Sequence, residues 1–169
     1  MTANQPSLDL ARAVIEAGVA LLPLSLQRYA GMPILTCQSK FEDDLKYLLY
    51  GVVAETATVE PIKVRFYDME AWTPVRLAQV ALHEMAHVIT IRQARETGGE
   101  EAVTRLAKDR QGHTKAWADV MADLGWHGDT FPRPNDIDIA DFTPSVQAVI
   151  LAGDRPADQE RSHELQHDL

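Results

Sequence analysis

The chain has almost no cysteine. Cys37 stands alone among 169 residues, so no intramolecular disulfide can form, and neither a cysteine zinc ribbon nor a four-cysteine metal site is possible. That usage fits a reducing, cytoplasmic compartment. Long apolar runs are missing as well. Ala13 to Leu26 comes closest, but Glu16 interrupts it and Arg12 is the only basic residue ahead of it. The segment therefore reads as an amphipathic helix, neither a leader nor a membrane span. Positive charge is also short: 16 Lys and Arg stand against 25 Asp and Glu, a net charge of −9. Phosphate contacts supply nearly all non-specific affinity for nucleic acid, so this acidity argues against such a partner. Most of the acidity lies beyond residue 118, and a mild basic excess across 92–118 keeps nucleic acid open.

What is present is an ordinary globular composition, 46% hydrophobic and without low complexity, enough for one domain with its own core. Residues 1–153 read as that domain, and the polar, acidic stretch 154–169 reads as a flexible tail. Ser7 can cap a helix through Leu8 to Ala17, and a second helical piece follows Pro23 and stops at Gly31. Ser39 resembles the cap of a helix through Phe41, Leu45, Leu48 and Leu49. Its first turn holds Glu42, Asp43 and Asp44, where acidic groups favour the positive helix end. From Thr58 to Tyr67 the period changes to two. Ile62, Val64 and Phe66 alternate with Lys63 and Arg65, which predicts a strand closed by a turn at Asp68 to Ala71.

Thr73-Pro74 pairs a capping hydroxyl with proline at the first helical position. The helix it opens should run to about Arg95, buried nearly all round by Leu77, Val80, Ala81, Leu82, Met85, Val88, Ile89 and Ile91. Gly98-Gly99 breaks it, Glu100 to Lys108 forms a short amphipathic helix, and Trp126 to Asp141 is irregular. Thr143-Pro144 opens a last helix, Ser145 to Leu151. The fold class is α+β, mostly helical with a small sheet.

The buried helix carries His83-Glu84-Met85-Ala86-His87, an H-E-x-x-H match. Four residues apart, His83 and His87 stack on one face and can reach one ion, while Glu84 points aside, where it can serve a metal-held water as general base. A core histidine bonded to backbone is the blander reading of either ring. Three polar groups on one buried helix need partners, however: a zinc ion would partner the histidines, and its water would partner Glu84. The pattern arises by chance in roughly one chain in a hundred of this composition, and this chain holds it twice. The second copy, His163 to His167, lies in the polar tail with no apolar helix around it and nothing downstream to complete a site. It reads as solvated.

Catalytic zinc keeps three protein ligands and one open position. His113, in Gln111-Gly112-His113-Thr114, is the leading third ligand. The metzincin layout needs glycine and histidine where Thr90 and Gln93 stand. Glu96, Glu100, Glu101 and Asp109 rank below His113, because none is set in a repeated glutamate pattern.

The H-E-x-x-H run, the Gly112-His113 pair, the aromatic Trp117 and the closing Leu124-Gly125 together resemble the SprT-like (Spartan-type) zinc metallopeptidases. The likeness spans the middle third of the chain, with the metal-site core at 73–126. It implies a zincin-like fold, zinc bound by His83, His87 and His113, Glu84 as catalytic base, and a protein or peptide substrate. Thr114-Lys115 stands where the family often has Gly-Pro, and no cysteine-rich ribbon is present, which weakens transfer of a DNA-linked substrate. A donor for the oxyanion is open among His127, Tyr67 and Arg110. Trp117 reads as core packing, and the strand at Ile62 to Tyr67 as either a core strand or an edge that pairs with an extended peptide. The other functional readings are a zinc-stabilised binding or assembly module without peptidase activity, and a metal-free interaction protein.

Overall fold

A computed structural model describes residues 5–38 and 53–153, apart from the side chain of Glu70. The expected helix after Ser39 and the second H-E-x-x-H copy lie outside these residues. The chain begins with α1 (Gln5–Val19) and a single turn, α2 (Leu24–Gln27). Three strands follow, β1 (Ile34–Gln38), β2 (Ala54–Thr56) and β3 (Lys63–Tyr67). Then come α3 (Pro74–Lys108), α4 (Lys115–Asp123) and α5 (Pro144–Gly153). Among the described residues, no helix is long and apolar enough to cross a membrane.

Helix α3 is the axis of the molecule. The Thr73 side chain accepts from the Arg76 amide and Pro74 occupies the first turn, as the sequence predicts. Leu82, Met85 and Ile89 are fully buried. Around them pack α1, through Val14 and Ile15, and α4, through Trp117 and Val120. Each large apolar side chain so buried contributes about 1.5–3 kcal/mol. The helix departs from helical geometry at Gly99, with φ 67° and ψ −162°, a conformation that favours glycine. A second helical segment then continues to Lys108, matching the expected break.

The sheet has the order β1-β3-β2. Strand β3 is therefore central, parallel to β1 and antiparallel to β2. Of the two roles open to it, the core strand holds and the edge does not, and its start is corrected. It does not lie at an edge, and it starts at Lys63 instead of Thr58, since Pro61 has no N–H to give to a ladder. Val64 and Phe66 point into the core while Lys63 and Arg65 face outward, the period-two pattern of a half-buried strand. Strands β1 and β2 were not expected. Both are short, and each takes its structure from pairing with β3. Helix α1 also starts before Ser7, which lies inside it.

Candidate metal centre

The i, i+4 spacing on α3 puts the rings of His83 and His87 side by side, with their Nε2 atoms 3.2 Å apart. His113 reaches the same point from the turn between α3 and α4. Its Nε2 lies 3.2 Å from that of His87 and 3.0 Å from that of His83. The Nδ1 of His113 donates to the Arg110 carbonyl at 3.0 Å, and a carbonyl can only accept. That bond places the proton on Nδ1 and leaves the Nε2 lone pair aimed at the other two rings.

Three imidazole nitrogens this close have too few protons to satisfy one another, yet they match what a cation requires. A tetrahedral ion with bonds of about 2.0–2.1 Å holds its ligand atoms about 3.3 Å apart. These three histidines are the one cluster of potential ligands found among the described residues, and their arrangement can hold a metal ion. Neither His83 nor His87 has a ring hydrogen bond to backbone among the described residues, so the core-histidine reading finds no support. Glu96, Glu100 and Glu101 are paired with Arg28, Arg95 and Arg105 at the surface, away from the cluster.

Burial keeps the rings neutral, which is the form that binds metal. Desolvation, then the neighbouring rings of His87 and His113, pulls His83 down to about 2. Desolvation and then His113 pull His87 to about 3. His113 is lowered by desolvation, partly opposed by its bond to Arg110.

The turn that delivers His113 is strained. Arg110, Gln111 and Gly112 have φ of 49°, 57° and 82°, three consecutive left-handed residues of which only one is glycine. Such backbone costs a side-chain-bearing residue about 1–2 kcal/mol, and strain of this kind collects at functional sites. Gly112 is required twice over, because a Cβ there would also meet the His87 ring at 3.2 Å. Trp117 is fully buried, as expected. It does more than pack: its indole N–H donates to the His83 carbonyl at 3.2 Å, and its ring touches all three imidazoles.

Glu84 is 5% exposed. Burial raises its carboxyl to about 7, against a Thr56 hydrogen bond that lowers it, with the charge of Glu55 adding to the rise. The Thr56 hydroxyl donates to Oε2 of Glu84 at 2.5 Å. The sheet register explains this contact: Thr56 is opposite Val64, so it shares the inward face and looks onto α3. His83 and Glu84 line a cleft of about 180 Å³ between α3, Val53 ahead of β2, and the loop at 130–137.

None of the three candidate oxyanion donors lines this cleft. Tyr67 is buried and donates to Glu55 at 3.0 Å. His127 is exposed at a different recess beside Trp126. Arg110 serves the site through its backbone carbonyl.

No relative emerged. A scan against protein-family models and searches of curated proteins and of solved structures each found no match. The functional reading therefore rests on the residues themselves.

Proposed function

We propose that this chain is a zinc-dependent peptidase of the SprT-like, zincin-type class, with His83, His87 and His113 as ligands and Glu84 as general base. The observation that carries the reading is the convergence of three ring nitrogens behind a cleft that His83 and the buried carboxyl of Glu84 line. Imidazole nitrogens suit zinc among the common divalent ions. Zinc bound there supplies Lewis acidity, polarising a carbonyl and bringing the pKa of a water from 15.7 to about 7.

The chain's own residues supply the rest. The Nδ1–H bond from His113 to Arg110 fixes that ring's tautomer and direction. Thr56 holds Oε2 of Glu84 and leaves Oε1 for proton transfer. Burial raises this carboxyl to about 7 in the metal-free chain, and a carboxylate placed beside a metal-held water can take its proton and later pass it to a leaving amine. Burial of the site keeps competing water away from that exchange.

The test is hydrolysis of an unfolded, fluorescently labelled protein by the zinc-loaded chain, with Glu84→Gln alongside. Cleavage by the parent chain and its loss in the variant, at equal zinc content, is the expected result. Equal zinc in both with no cleavage by either would instead favour a zinc-stabilised binding or assembly module.

A further inference from the structure

Two polar side chains on the cleft wall, Gln79 and Arg76, make no side-chain hydrogen bond or ion pair among the described residues. Gln79 is 5% exposed and lines the cleft, and its amide makes no hydrogen bond to any described residue. Its amide atoms are not among the buried unpartnered ones, so the amide is open to the cleft and free to meet a group that enters it. Arg76 lies on the same wall. Its guanidinium rests over the Trp72 ring, 5.1 Å from the centroid, and forms no ion pair with a described carboxylate. The first turn of α3 holds no acidic residue to neutralise it. Among the described residues that line the cleft, Arg76 and Glu84 are the charged ones.

Gln79 precedes His83 by one helical turn and Arg76 precedes it by two, so all three share a face. At 1.5 Å per residue they stand about 6 and about 10 Å from His83 along the axis. An extended peptide covers about 3.3 Å per residue. A peptide whose reacting carbonyl sits near His83 thus brings a backbone amide to Gln79 about two residues away, and a side chain or chain end to Arg76 about three residues away.

We infer that Gln79 and Arg76 form a subsite for a peptide carboxylate two to four residues from the bond that is cut. Gln79 takes a peptide group of the extended chain, and the planar guanidinium of Arg76, oriented by Trp72, takes the carboxylate through paired N–H donors. The carboxylate belongs either to an acidic side chain or to the peptide's C-terminus. This assignment rests on the peptidase reading above.

Peptide hydroxamates test it, because they bind through the metal whether or not the chain cleaves them. C-terminally amidated probes carrying one Glu or one Gln at the first to fourth residue, and an all-glycine set with free or amidated ends, are titrated calorimetrically into the zinc-loaded full chain. A Glu probe should bind about tenfold tighter than its Gln counterpart at the second, third or fourth position and not at the first. The same gain from a free end in the glycine set identifies the C-terminus as the source. Arg76→Gln should bring the Glu probe down to the affinity of the Gln probe, Arg76→Lys should keep part of the preference, and Arg76→Glu should favour a Lys probe. Hydroxamates that bind with no carboxylate preference, or a preference that survives Arg76→Gln, overturn the subsite and leave the metal centre standing. Failure of every hydroxamate to bind a chain holding zinc overturns the subsite and the peptidase reading together.

Discussion

The hydroxyl of Thr56 sits 2.5 Å from Oε2 of Glu84, joining a three-residue strand to the helix that carries the metal-site histidines. Thr56 lowers the carboxyl's pKa against the burial that raises it. Thr56→Val should therefore move the acid limb of the pH–rate profile to higher pH and reduce cleavage on the order of tenfold, the worth of one hydrogen bond to a charged group. Zinc content should stay at the parent value, and Thr56→Ser should restore the profile. A Thr56→Val profile that overlays the parent would show that this contact does not tune Glu84.

Removing the proposed base has a sharper signature. Glu84→Gln should keep one zinc per chain and lose about 10²- to 10⁴-fold in cleavage, the usual worth of general base catalysis. Metal analysis and turnover on the same preparation check both halves.

In the metal-free chain, His83 and His87 stay neutral down to about 3, whereas unfolded histidine takes a proton near 6.5. The unfolded state then binds more protons, so their contribution is complete above about pH 6.5 and is lost as pH falls towards 3. Glu84 works in the opposite sense. Its folded value near 7 lies above the ordinary 4.5, so its contribution falls as pH rises from 4.5 to 7. Two histidines outweigh one carboxyl. Stability should rise across pH 4.5–6.5 by on the order of 1 kcal/mol per pH unit, then level off near pH 7, where the last of the histidine gain and the Glu84 loss cancel. Urea midpoints with chelator present measure this, and Glu84→Gln should steepen the rise to about 2–3 kcal/mol per pH unit.

The turn before His113 offers a test of strain against space. At Gly112, φ is 82° and a Cβ would lie 3.2 Å from the His87 ring, so Gly112→Ala should destabilise by about 1–2 kcal/mol and weaken zinc binding. Gln111 has φ 57° but belongs to no ligand contact. Gln111→Gly should leave zinc affinity alone and stabilise by up to about 1 kcal/mol. Denaturant midpoints and competition with a zinc-binding dye separate the two effects.

What could be read from the sequence was mostly local. The Thr73-Pro74 cap, the i, i+4 histidines and the glycine break all depend on neighbours within a turn or two, and the structure keeps them. His113 was legible through Gly112, whose left-handed backbone leaves a trace in residue type. Arg110 and Gln111 adopt the same backbone without being glycine or asparagine, so nothing signalled the strain. Thr56 was missed because β2 is only three residues long and gets its inward face from register with β3, a pairing no periodicity reveals. The same holds for β1. The edge role suggested for β3 failed because strand order is set by partners distant in sequence. Arg76 and Gln79 belong to no motif, and the sequence does not reveal that they face a cleft.

Zinc stoichiometry tests the central claim most directly. Elemental analysis should find one zinc per parent chain after dialysis, and still one in His163→Ala/His167→Ala, which removes the tail's second motif. Zinc should be lost from His113→Ala. A full equivalent of zinc retained by His113→Ala, or none in the parent chain, would contradict a centre built by His83, His87 and His113.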